Sequence, residues 1–306
     1  ISALIISFIP VPLLLCTIYI HPLHIDLWVI TEMERIALKL GYLGTNYHGF
    51  QIQPPSGPRT IEGELFEALK KLDIIEGRTA ANYSAAGRTD KGVHALAQVV
   101  SFDTSNTHVT PRMINSMLPD DIWAYAQAKP DLEFDARRDA VSREYRYFLV
   151  PPTDLDVTSM RKAAELLIGV HDFSNFSYRD ETEIPIRELK RIAIATKEGR
   201  PFVVIDIEAN SFLRKMVRKI VSALRMVGTG MRDLAWIEAL RDLRLTDGIG
   251  PAPAAGLILK NVSYPGTEFE EDSYAKMRIQ ERLKADFEFH ATLTEVLDEM
   301  ANTLKV

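Results

Sequence analysis

The sequence predicts an α+β fold of two α+β subdomains with mainly antiparallel sheets, and three observations carry that expectation. Segments with the period of a strand and segments with the period of a helix intermix without a run of parallel β-α units. Strand-like segments fall in hairpin-like pairs, notably Glu188 to Thr196 and Phe202 to Ala209, joined by Lys-Glu-Gly-Arg-Pro. A length of 306 residues suggests two domains at a prior of roughly 150 residues each. The expected division is a leader over residues 1–32, an N-terminal unit over 33–140, a C-terminal unit over 141–264 and an acidic helical tail over 265–306.

The elements follow in order. Arg35 to Gly44 alternates as a strand, and a loop dense in Gly and Pro runs from Tyr47 to Pro58. Thr60 opens a helix whose apolar stripe is Leu65, Leu69 and Leu72. A loop carries Gly87-Arg-Thr-Asp-Lys-Gly92, and strands are expected over Leu96 to Asp103, Asp121 to Lys129 and Arg143 to Val150, with a short helix at Pro111 to Met117. Asp156 to Ile168 reads as a capped helix, Phe212 to Gly228 as a long helix closed by Gly, Asp233 to Leu243 as another helix, and Gly256 to Val262 as a last strand. In the tail, Leu283, Phe287, Leu293, Val296, Leu297, Met300 and Leu304 give an amphipathic helix from about Glu281, with a break near His290. Its apolar face would pack on the protein's own core or against another subunit.

Composition bounds the function. Hydrophobic residues at 46% and charged residues at 25% exclude a disordered chain and a polytopic membrane protein. A single cysteine, Cys16, excludes an intramolecular disulfide and a cysteine-based zinc site, and fits a reducing compartment. The net charge of −6 argues at first against a polyanionic partner, but the tail holds ten acids against five bases, and residues 33–264 net +1. Local clusters therefore decide the partner. Residues 1–25 carry no charge, and Ala3 to Ile20 is almost wholly apolar. No basic n-region marks a signal peptide, and Pro10 and Pro12 interrupt the run. The first Met is Met33, and the stretch before it reads as a leader that is not native or not ordered, with a membrane anchor and a structured extension as alternatives.

Three features could carry chemistry. Asp90 lies between Arg88 and Lys91 in a Gly-flanked loop, where those cations would hold the carboxylate ionised for a nucleophile or charge stabiliser; a surface turn with a local ion pair is the plainer alternative. The helix from Phe212 splits into an apolar half and a half bearing Arg214, Lys215, Arg218, Lys219 and Arg225, with no acid before Asp233. Like charges at i,i+4 cost stability, which a polyanion would offset; a solvated face is the alternative. Arg137-Arg138 precede Arg143-Glu-Tyr-Arg-Tyr-Phe148, where Tyr145 and Tyr147 share a strand face, either to stack a base or as a core pair. His94, His108 and His171 form no metal-ligand cluster, which weighs against a metal-dependent hydrolase.

These residues carry a resemblance. Ala86-Gly-Arg-Thr-Asp-Lys-Gly-Val-His-Ala95 with Gln98-Val99 resembles the signature of the TruA family of tRNA pseudouridine synthases. Tyr47-His-Gly-Phe-Gln51, Phe134-Asp-Ala-Arg137 leading to Arg143-Glu-Tyr-Arg-Tyr147, Gly169-Val-His-Asp-Phe173 with Phe176, and Phe212-Leu-Arg-Lys-Met-Val-Arg-Lys-Ile-Val221 match in the same order, as does Pro253-Ala-Ala-Gly-Leu257. The resemblance spans about residues 35–264. It implies isomerisation of uridine to pseudouridine in the anticodon stem-loop of tRNA, in the region of positions 38–40, without metal or cofactor, by a cytoplasmic homodimer with its active cleft between the two halves. It implies Asp90 as nucleophile or base at the ribose, Tyr145 stacked on the target base and assisting removal of the C5 proton, and Arg218 as the basic partner of the aspartate. Arg88 is expected to help hold the flipped nucleotide. Phosphate contacts would come from Arg137, Arg143, Arg214, Lys215 and Lys219. Lys91 in place of Ala, Leu96-Ala97 before Gln98, Phe50 in place of Trp and Arg214-Lys215 in place of a His pair are departures that suit an archaeal-type member. A noncatalytic RNA-binding protein on the same scaffold is the alternative.

Overall fold

The computed structural model describes residues 33–304 apart from 55–56, 179–182, 197–198 and 200–201; the leader, and what the sequence led us to expect of it, lies outside the described residues. In chain order the elements are β1 (Glu34–Tyr42), α1 (Ile61–Lys71), β2 (Ser84–Ala85), β3 (His94–Thr104), α2 (Pro111–Asn115), β4 (Ile122–Ala128), β5 (Ser142–Leu149), α3 (Val157–Glu165), β6 (Gly169–Asp172), β7 (Ile186–Thr196), β8 (Val203–Ala209), α4 (Met216–Gly228), α5 (Leu234–Arg241), β9 (Leu257–Ser263), β10 (Glu270–Glu271) and α6 (Ser273–Thr303). The α+β class holds, but the described strands form one continuous sheet in the order β10-β4-β1-β3-β9-β5-β8-β7-β6, with β2 alongside β3.

All ladders are antiparallel except β3 with β9, where His94 stands opposite Ile258 and Ala95 opposite Leu259. That short parallel pairing matters for the site. It sets β3, which follows the Asp90 loop, one strand away from β5, which carries Tyr145.

Alternation determines the faces. On β5, Arg143, Tyr145 and Tyr147 are buried on one side, while Glu144, Arg146 and Phe148 point to the other. That second side is charged. Arg146 makes two bonds of 2.7 and 2.8 Å to Asp206 on β8, and Glu144 accepts from Arg191 and Lys260 at 2.7 and 2.9 Å. Hairpin β7–β8 is as expected, with Ile194 opposite Ile205.

Helix ends follow local chemistry. Thr60 and Asp156 cap α1 and α3 through their side-chain oxygens, satisfying backbone N–H groups that a first turn leaves unpaired. The basic helix starts later than its periodicity suggests. Lys215 sits at φ +61°, in the left-handed region, so α4 begins at Met216 and Arg214 and Lys215 precede it. Gly228 is the last residue of the helix, and Thr229 caps it. A Cβ there would lie 2.6 Å from Met160 Cγ on α3, so the glycine permits the helices to approach.

The tail helix begins at Ser273, earlier than expected, with Asp272 as its cap, and it passes His290 unbroken. Arg112 grips Asp272 at 2.9 and 3.0 Å, and β10 pairs with β4, which fastens the tail to the first half of the chain. Ala275 is buried, whereas Phe287, Phe289, Val296, Leu297 and Met300 are exposed, so the apolar stripe does not seat on the protein's own core. Among the described residues no helix is long and apolar enough to cross a membrane.

Candidate active site

The loop between β2 and β3 is held at several residues. The Ala86 carbonyl accepts from Arg143, and the Gly87 carbonyl accepts from Gln98 Nε2 at 2.7 Å. The Thr89 hydroxyl pairs with the buried Tyr42 hydroxyl at 2.9 Å, and its carbonyl accepts from the Phe50 N–H at 3.0 Å. The Asp90 carbonyl accepts from the Val93 N–H at 3.1 Å. The Tyr47–Gln51 segment lies directly against this loop. Gly49 has φ +104°, and a Cβ there would stand 3.0 Å from the Thr89 carbonyl oxygen. The two segments quoted from opposite sides of helix α1 are thus one structural unit.

Asp90 projects from that fixed loop to Arg218 on α4, with Oδ2 to Nη1 at 2.8 Å. Arg218 is itself fixed: its Nε donates to the Ala252 carbonyl at 2.7 Å, and its carbonyl accepts from the Ala252 N–H at 3.0 Å. Both side chains are mostly, not wholly, shielded, at 22% and 13% exposure, which leaves the carboxylate reachable. The expected local cations do not supply this pairing. Lys91 reaches His48 Nε2 at 3.1 Å, and Arg88 is exposed, with no hydrogen bond or ion pair among the described residues.

Tyr145 is buried, and its ring meets Phe212 edge-on at 5.2 Å and 89°. Burial pushes its phenol well above the usual value; Arg143 opposes this, and Asp90 adds to it. His94 serves the frame: its Nδ1 accepts the Gly44 N–H at 3.2 Å, and burial pushes its pKa down against a raising backbone bond with Ala255. Among the described residues no group of three or more His, Cys, Asp or Glu could hold a metal ion.

The expected phosphate contacts divide. Arg137 is exposed. Arg214 and Lys215 both lie over the ring of Tyr178, at 4.9 and 5.0 Å, and Lys219 Nζ donates to the neighbouring Ser177 carbonyl at 2.5 Å. Tyr178 is 54% exposed, and sequence reasoning passed over it, because a lone Tyr after Phe176 has no periodic signal. Arg143 corrects the expectation. It is only 7% exposed, and its guanidinium binds backbone carbonyls throughout, so it has nothing left for a phosphate.

Comparison with known proteins places the chain in a family. A tRNA pseudouridine synthase family model matches residues 40–137 and 163–265, which include Asp90 and Arg218. The tRNA pseudouridine synthase A of Methanocella arvoryzae is 46% identical over 272 residues, covering 89% of this chain and 100% of the relative. That of Methanosarcina barkeri is 47% identical, covering 87% and 98%, and that of Archaeoglobus fulgidus 43% identical, covering 85% and 95%. With matches this long on both sides, the chain belongs to the tRNA pseudouridine synthase family.

Proposed function

We propose that this protein isomerises uridine to pseudouridine in tRNA, with Asp90 acting at the ribose of a flipped nucleotide. The observation that carries this reading is the Asp90–Arg218 pair at 2.8 Å, presented by a loop whose backbone is pinned from four directions. The reaction breaks the N1–C1′ bond, turns the retained base and joins C5 to C1′. The C5 proton is lost and N1 gains one, so the atoms balance without a co-reactant. Such chemistry needs a carboxylate at a fixed distance from C1′ and a target nucleotide taken out of its stack.

In this reading Arg218 orients the carboxylate, and the Tyr145 ring packs against the base. The Tyr145 phenol assists removal of the C5 proton. Arg88 and Arg137, both exposed, face the substrate, and Arg214, Lys215 and Lys219 gather its backbone beside Tyr178. The two halves, 33–140 and 141–264, form the walls of the cleft, the target lies in the anticodon stem-loop near positions 38–40, and the enzyme works as a cytoplasmic homodimer. A noncatalytic RNA-binding role would leave the buttressed Asp90–Arg218 pair without a purpose.

The test is direct. Incubation of tRNA transcripts with the purified protein, followed by mass-spectrometric mapping of pseudouridine, should show conversion in the anticodon arm. Conversion elsewhere would move the substrate site, and no conversion in any tRNA would remove the activity.

A further inference from the structure

Four segments deliver the residues discussed above: the loop after Ala86 brings Arg88 and Asp90, the turn at Arg137 brings that arginine, β5 brings Tyr145, and the segment after Asn210 brings Phe212 and Arg214. One side chain lies at the root of all four. Arg143 Nε and Nη2 donate to the Ala86 carbonyl at 3.2 and 2.9 Å, and Nη1 donates to the carbonyls of Ala140 and Asn210 at 2.8 and 2.9 Å. Nη2 also donates to the Arg137 carbonyl at 2.6 Å. All five N–H donors of a guanidinium are thereby used, on four backbone carbonyls.

From this geometry we infer that Arg143 is a positioning residue, a brace that sets the distance between the Asp90 loop and the strand carrying Tyr145. The electrostatics make the arrangement informative. Arg35, the other arginine almost wholly buried among the described residues, has Asp103 at 2.8 Å to balance it. Arg143 has no carboxylate partner among the described residues, and burying an unpaired cation is expensive. Only partial charges on carbonyls offset that cost, so ordinary packing does not account for the choice of residue. A planar fork does, because it reaches carbonyls in several directions at once. A lysine presents one point charge on a flexible stem and cannot span them. Arg143 also stands two positions before Tyr145 on the same face of β5, so what fixes the guanidinium fixes the strand against the loop.

This inference rests on the proposed isomerisation for its kinetic readout, but not for its structural one. The variants are Arg143→Lys and Arg143→Gln, each compared with the intact protein by tRNA conversion, tRNA binding across a salt series, and hydrogen exchange. A displacement of about 1 Å at the reacting atoms costs on the order of 100-fold, so kcat should fall by about that factor in both variants while KM stays within about twofold. The Lys variant should not rescue. Amides over 86–92 and 210–214 should lose protection in both variants, while those of the β1–β3 ladder keep theirs. Full kcat in Arg143→Lys would overturn the brace. So would weakened binding with a flatter salt dependence and unchanged kcat, since that marks a phosphate contact. If the wild-type protein converts no tRNA, the proposed activity fails, and the exchange pattern alone decides whether Arg143 holds the loop: unchanged protection over 86–92 would reject it.

Discussion

Asp90 Oδ2 and Arg218 Nη1 stand 2.8 Å apart across 128 positions of sequence. Each is held from behind by backbone, Asp90 through its loop and Arg218 through Ala252, so neither has to reorganise when a substrate arrives. Asp90→Asn should bring conversion below detection while leaving tRNA affinity nearly intact. Arg218→Ala should lower kcat by about 10²–10³, the usual cost of removing one preorganised charge partner. Single-turnover conversion and filter binding on the two variants test this, and measurable activity in Asp90→Asn would remove the carboxylate from the chemistry.

Gly49 should be intolerant of even a methyl group. Its φ of +104° is one that L side chains rarely adopt, and the added Cβ would face the Thr89 carbonyl at 3.0 Å. Gly49→Ala should therefore destabilise the fold by about 1–3 kcal/mol and displace the Asp90 loop. Gly87→Ala is the control, since nothing lies within 4 Å of a Cβ at that position. Thermal melting and kcat together check this; a Gly49→Ala protein as active and stable as Gly87→Ala would mean that the loop tolerates the approach.

Much of this was legible in the residues, and the failures have physical causes. Strand and helix patterns located β1, β3, β5, β8 and α4 to within a few residues: β5, β8 and α4 each bury one regular face, and β1 and β3 are runs buried on both faces. Two-residue strands such as β10 have no period to read. The start of α4 was misplaced because amphipathic spacing continues through Arg214 and Lys215, and the left-handed turn at Lys215 leaves no mark in composition. Asp90, Tyr145 and the basic helix bearing Arg218 stood out in the residues, and the resemblance assigned their roles. Their local chemistry pointed to Arg88 and Lys91 as the partners of Asp90, and the real partner comes from a distant helix. Arg143 was misjudged for a related reason: an arginine among other arginines reads as surface charge, and only tertiary contacts show it buried on carbonyls.

The cluster of Arg214, Lys215 and Tyr178 should report on the RNA backbone. Arg214 is exposed and lies 4.9 Å from the Tyr178 ring, so its loss removes a cation without opening the core. Arg214→Ala should weaken tRNA binding and lower the slope of log K against log salt by about 0.7–0.9 if it contacts one phosphate. Tyr178→Ala should weaken binding with little change in that slope, since stacking releases no counterion. Equilibrium binding at several salt concentrations separates the two, and an unchanged slope in Arg214→Ala would place the RNA elsewhere.

Asp206 should make the protein sensitive to acid. Burial by itself would push its carboxyl up, but the two bonds from Arg146, with the nearby charges of Arg146, Lys260 and Arg191, outweigh burial and hold it below the usual carboxylate range. A group whose folded pKa is depressed stabilises the fold above its unfolded value of about 3.9, and that stability is lost as pH falls through the folded pKa. The pair is partly screened by solvent, so its contribution is about 1 kcal/mol or less. Asp206→Asn should be less stable than wild type at pH 7 by about that amount. The gap should narrow progressively below about pH 4 and close once Asp206 is protonated in the folded protein. Urea unfolding at a series of pH values measures it directly, and a gap that stays constant down to the acid limit would mean that the Asp206 charge contributes nothing through Arg146.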